Sequence, residues 1–172
     1  MKSDRKWFRS TAIGVATVAL IAGAAGLWLW TDTTEPPVTR IDANDPGLVA
    51  LGRTVYMQNC ASCHGAKLEG QPDWRVRKPD GKLPAPPHDE SGHTWHHADQ
   101  QIFGLTRDGL KPPLAPEGYQ SDMPAFGDVL TDDQIIATLA FIKSTWPAPI
   151  RARQTRIDEA VRKQADFKGE KK

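Results

Sequence analysis

The chain has 172 residues and nearly balanced charge, with 22 Lys and Arg against 21 Asp and Glu and a formal net charge of +1. Without a basic excess it lacks the electrostatic footprint of a nucleic-acid binder, and no such partner is expected. Its 2 cysteines, Cys60 and Cys63, lie so close in sequence that a bridge between them would remove little chain entropy, which makes a structural disulfide a weak reading.

Residues 1–10 carry Lys2, Arg5, Lys6 and Arg9 against Asp4, residues 11–30 hold no charge, and Asp32 and Glu35 follow. A 20-residue uncharged run is long enough to span a bilayer. The positive-inside rule then predicts a cytoplasmic N-terminus at 1–10, one transmembrane anchor at 11–30 and an extracytoplasmic remainder. Leu27-Trp28-Leu29-Trp30 suits the interfacial end of a retained anchor. A cleaved signal peptide is the alternative, with Ala22-Gly23-Ala24 as its small-x-small site. Residues 31–44, with Pro36-Pro37, read as a linker to a domain at 45–147.

Asp45 and Pro46 form an N-cap and first-turn pair. They open a helix through Leu48, Leu51, Gly52, Val55 and Tyr56 into Cys60. Gly52 weakens that helix, so it is expected to mark a close crossing with another element. Met57, on the same helix, is expected to pack in the core.

Residues 60–64 read Cys60-Ala61-Ser62-Cys63-His64. C-x-x-C-H is the attachment pattern of c-type haem. Two thiols on one helical turn reach two carbons on one porphyrin edge, and the following imidazole faces the iron. Three other readings compete. A thioredoxin-like redox pair wants a preceding strand, whereas the residues before Cys60 recur at helical spacing. A zinc site could combine Cys60 and Cys63 with His93 and His96, which leaves His64 without a role. The third is the disulfide already described, possible outside the cytoplasm.

The stretch from Gly65 to Leu114 is rich in proline and poor in apolar periodicity, as expected of an ordered loop wrapping the haem edge. Within it, 4 of the chain's 5 histidines fall between His88 and His97. Either these side chains support the haem edge, bonding propionates or capping the next helix, or they form a second site for copper or zinc. A histidine of this group as distal ligand is a further alternative. No second metal is expected. Asp99 to Asp108 reads as a short helix ended by Gly109.

Met123 stands in Ser121-Asp122-Met123-Pro124-Ala125-Phe126-Gly127. Pro124 biases it toward an extended backbone, which suits a distal haem ligand carried on a loop. Methionine in that position raises the reduction potential. Thr131-Asp132-Asp133-Gln134 has the form of a capping box and opens a helix through Ile135, Ile136, Leu139, Phe141 and Ile142, stopped near Trp146-Pro147. The extension 148–172 holds 8 basic and 4 acidic side chains. It is expected as a short exposed helix (150–167) or as disordered chain. No segment alternates convincingly as a strand, so the domain is expected to be all-α.

With its haem motif near the start and an M-P-x-F-G loop before a final helix, the region 43–147 resembles class I cytochrome c. The resemblance implies three to four helices around one covalent haem c, the first and last crossing. Carried over residue by residue, it makes Cys60 and Cys63 thioether donors, His64 the proximal ligand and Met123 the distal ligand, with His64 and Met123 binding the iron. It also places Phe141 against the first helix. The implied function is one-electron transfer without catalysis of its own, by a membrane-tethered carrier on the periplasmic side. Expected partners are an oxidase, a quinol-oxidising complex or a dehydrogenase. The alternatives are a metal-handling or sensing protein that works through the 88–97 cluster, and a haem subunit of a multi-chain oxidoreductase.

Overall fold

The computed structural model describes residues 40–169. The expected N-terminus and anchor at 1–30 lie outside the described residues, and among those described no helix is long and apolar enough to cross a membrane. Five α-helices occur among the described residues: α1 (Pro46–Asn59), α2 (Ala61–His64), α3 (Asp99–Asp108), α4 (Asp132–Ser144) and α5 (Ala148–Gly169), with a 3-10 turn at Thr94–His96. No strand occurs among the described residues.

Local chemistry sets the helix starts. The Asp45 carboxylate accepts from the backbone N–H groups of Gly47 at 2.8 Å and Leu48 at 3.0 Å, and Pro46 occupies the first turn where no donor is missed. Thr131 and Gln134 form the reciprocal capping box of α4. Gly109, at φ 82°, ends α3 in a conformation that a side chain would strain.

α1 and α4 cross closely, and Gly52 makes that possible. A Cβ at this position would lie 1.8 Å from the carbonyl oxygen of Ala137. Beside the crossing, the Tyr56 and Phe141 rings pack at 5.4 Å between centroids. Val55, Tyr56, Ile135, Leu139, Ile142 and Trp146 are buried around it and form much of the core. Met57 is not among them. It is 46% exposed, because it sits one residue past Tyr56 and so points off the face that meets α4. Its expected core role is therefore corrected.

Residues 65–93 contain no regular element, and backbone bonds hold them in place. Gly70 N–H donates to the His64 carbonyl at 2.8 Å, Gln71 N–H to Ala85 at 2.9 Å and His88 N–H to Leu68 at 2.8 Å. The Trp146 indole N–H reaches from just beyond α4 to the His88 carbonyl at 2.8 Å.

Over residues 148–169 the extension is a helix docked on the domain, neither disordered nor wholly exposed. Gln154 and Asp158 of α5 are buried, with 1% and 5% exposure. Gln154 donates to Asp99 Oδ1 at 2.8 Å and to the His97 carbonyl at 3.3 Å. Asp158 accepts from Asp99 N–H at 3.0 Å. The Arg153 guanidinium lies 4.9 Å above the Trp95 ring. Beyond Asp158, most side chains through Phe167 are exposed.

Candidate haem site

α1 delivers Cys60 as its C-terminal cap, α2 follows at once, and the short turn ends on His64. Cys60 is half-buried and Cys63 exposed, both as free thiols. Burial, with a smaller contribution from Cys63, pushes the Cys60 thiol up to about 11, so it stays protonated at neutral pH.

His64 is 7% exposed. Its Nδ1 lies 2.8 Å from the Pro86 carbonyl, and a carbonyl can only accept, so this nitrogen carries the proton. Nε2 is left as the basic nitrogen of a ring that lines a cavity of about 550 Å³. Burial lowers the imidazole's pKa, and the Pro86 bond opposes that shift. A neutral ring with one nitrogen pinned by a backbone carbonyl is the usual state of a metal-binding histidine. The Tyr56 hydroxyl, donating to the Gly65 carbonyl at 2.8 Å, fixes the turn just after it.

Met123 is half-buried on the loop between α3 and α4. Cys60, Cys63, His64 and Met123 all line the same cavity, whose floor includes Ile102, Leu139 and Ile142 from α3 and α4. Residues distant in sequence thus converge on one largely apolar chamber, of a size usual for cofactor sites.

The histidine segment divides. His88, His93 and His97 line the cavity, whereas His96 stacks on Trp95 at 3.7 Å. His88 stacks on His64 at 4.0 Å, and its Nδ1 lies 2.7 Å from the Thr94 hydroxyl. Burial keeps His88 well below the usual imidazole range, with His64 and His93 adding to the effect. His93 lies flat against Trp74 at 5.4 Å. Among the described residues, no group of three or more His, Cys, Asp or Glu is arranged to hold a metal ion.

Sequence reasoning missed Pro86 as the carbonyl that orients His64, and missed the stacking of His88 on that ring. Neither leaves a local signal, since both depend on how the 65–88 loop returns to α2. It also passed over Lys78-Pro79-Asp80-Gly81-Lys82, a plain turn pattern that folds back over the cavity next to Asp122.

All-helical architecture, a helix crossing closed by glycine, and a thiol–thiol–imidazole run opening on an apolar chamber define a haem protein of the c type. Residues 49–146 match the family Cytochrome c, and the chain belongs to that family. It is similar to the "Cbb3-type cytochrome c oxidase subunit FixP" of Sinorhizobium medicae (strain WSM419), at 31% identity over 101 residues, 59% of this chain and 31% of the relative. The protein of the same name from Rhizobium meliloti (strain 1021) is 29% identical over 101 residues, again 59% of this chain and 31% of the relative. The match therefore spans under a third of these relatives' length. No solved structure gives a significant match.

Family membership implies a covalently bound haem c. The residues present fit that group: two free thiols, a neutral imidazole with its second nitrogen pinned, and a thioether all border one apolar cavity.

Proposed function

We propose that this protein is a one-electron carrier whose haem c is held by thioethers from Cys60 and Cys63, with His64 and Met123 as the axial ligands. The observation that carries the reading is the convergence of these four side chains on one cavity. When bound, haem c supplies a one-electron Fe(II)/Fe(III) couple. The chain's part is to orient and to exclude. Pro86 fixes the rotation of the His64 ring. Ile102, Leu139 and Ile142 keep the chamber apolar, which limits solvent reorganisation when charge changes. Cys63, exposed at the surface, marks the edge through which a partner would approach.

In this reading residues 11–30 tether the domain to the cell membrane, with the N-terminus cytoplasmic and the haem domain outside. Tethering raises the effective concentration toward a membrane-bound partner. Similarity to two proteins named as subunits of a cbb3-type cytochrome c oxidase favours an oxidase over a quinol-oxidising complex or a dehydrogenase. It also supports a second form of the proposal, in which the chain is itself a haem subunit of such a complex.

The test is made on protein matured in a host competent for c-type attachment. Haem should stay with the denatured polypeptide through acid–acetone extraction, and Cys60→Ala together with Cys63→Ala should release it. Met123→Ala should abolish the weak near-infrared absorption of methionine–sulfur ligation and lower the reduction potential. Free haem from the wild type, or an unchanged near-infrared spectrum in Met123→Ala, would refute the assigned attachment or the assigned ligand.

A further inference from the structure

The segment carrying Met123 is held differently at its two ends. On the C-terminal side the hold is backbone to backbone: Phe126 N–H donates to the Thr106 carbonyl at 3.0 Å and Gly127 N–H to Arg107 at 2.9 Å. Both acceptors belong to α3, so this end is fixed to the domain. On the N-terminal side the hold is ionic and comes from far away in sequence. Lys78 Nζ donates to Asp122 Oδ2 at 2.7 Å, and Lys82 Nζ binds the other oxygen, Oδ1. Asp122 is the residue before Met123.

The turn that supplies both ammonium groups is itself pre-formed. Lys78 N–H donates to the Lys82 carbonyl at 2.9 Å, and Gly81 N–H donates to the Lys78 carbonyl at 2.9 Å. Asp80 Oδ1 accepts from Lys82 N–H at 3.0 Å, and Arg77 Nη1 donates to the Gly81 carbonyl at 2.6 Å. Gly81 sits at φ 84°, where a side chain would strain the backbone. Arg77 of the same turn also stands 5.8 Å from the Tyr119 ring. Three contacts from this one turn, at 77, 78 and 82, thus reach one short stretch, 119–122. Lys78, Tyr119, Asp122 and Met123 all border the cavity.

We propose that the 77–82 turn is an electrostatic strap, and that Lys78, Lys82 and Asp122 are positioning residues that hold the Met123 arm closed over the distal side of the haem. This rests on Met123 being the distal ligand. The strap acts on the equilibrium between a closed arm and an open one. An outside ligand can take the distal position only when the arm is open, so its apparent affinity scales with the open fraction. Two ammonium groups on one carboxylate favour the closed state. The pairs are partly exposed, so their contribution should weaken as salt rises.

Ferric holoprotein, prepared as the full chain in detergent, is titrated with imidazole, and its near-infrared band and reduction potential are recorded. Asp122→Asn and the double variant Lys78→Gln/Lys82→Gln should each raise imidazole affinity by about three- to tenfold, the scale of an exposed ion-pair network. Both should weaken the near-infrared band and lower the potential. Lys78→Arg/Lys82→Arg should restore wild-type affinity. Added salt should move the wild type toward the variants and leave the variants unmoved. The strap is refuted if Asp122→Asn and the Gln pair match the wild type in imidazole affinity and potential while Met123→Ala loses the band. An unchanged band in Met123→Ala would refute the ligand assignment and the strap with it.

Discussion

Removing the ammonium of Lys143 should unfold this domain more readily than any single truncation at its surface. The Asp99 side chain is 0% exposed and that of Lys143 only 9%, with Nζ and Oδ1 at 2.5 Å. The same carboxylate accepts from Ile41 N–H at 2.7 Å and from Gln154 Nε2 at 2.8 Å. In Lys143→Met those two neutral donors remain, the volume is roughly kept, and the positive partner is gone. Leaving one member of a buried pair uncompensated costs about 3–5 kcal/mol, a large share of the roughly 5–15 kcal/mol that holds a domain together. Asp99→Asn should cost a comparable amount, since an amide oxygen turned to accept from Ile41 N–H points its NH2 at the Lys143 ammonium and at Gln154 Nε2. With both substitutions the buried charge disappears from each side. The double variant should therefore be more stable than the sum of the single losses implies, by about 1–3 kcal/mol of coupling. Guanidinium unfolding of the holoprotein, followed by far-UV circular dichroism, measures all four corners. A loss below about 1 kcal/mol in Lys143→Met, or strict additivity in the double variant, would show that the pair is not energetically coupled.

Gly52→Ala drives a Cβ into the Ala137 carbonyl; it should cost at least about 1–3 kcal/mol, read as a lowered melting temperature. Trp146→Phe removes the indole donor from the His88 carbonyl. Denaturant unfolding should show a loss of about 1–3 kcal/mol, and wild-type stability would refute the role given to that bond. The pKa of His88 is depressed by burial, so the unfolded chain takes up its proton first as pH falls. Its contribution is therefore complete above about pH 6.5 and declines below it toward the lower folded-state value. Unfolding midpoints between pH 7.5 and 5 should fall in the wild type and fall less steeply in His88→Leu.

The legible features were those written in adjacent residues. Asp45-Pro46, the Thr131–Gln134 box and Gly109 each act within one turn, and each forms as expected. Gly52 was readable as a crossing because a glycine inside a helix costs stability and needs a compensating contact. Met57 was misread because its apolar character gave no hint of which face of α1 meets α4. Asp99 is the sharpest case. At the start of a helix an aspartate looks like a residue favoured by the helix dipole. Its actual partners are 44, 55, 58 and 59 positions away, and no local pattern reports such distances.

These distant partners also explain why a basic tail, so polar in composition, folds as part of the domain. Burying a carboxylate at Asp99 is unfavourable unless donors surround it; the segment before α1 supplies Ile41 N–H and α4 supplies Lys143. The extension supplies one more donor, Gln154, to that carboxylate, and its Asp158 separately accepts the backbone N–H of Asp99. Gln154 also donates to the carbonyl of His97, a residue that lines the cavity. One amide group therefore links the tail, the buried charge and the edge of the haem chamber. Gln154→Leu should test that link in two ways. The lost donor to a buried charged group should cost about 1.5–3 kcal/mol. Freeing the His97 segment should also speed amide hydrogen exchange at 97–103, while exchange at the α1–α4 crossing stays slow. Unchanged exchange at 97–103 would mean that the tail helix rests on the domain without holding its haem-facing loop.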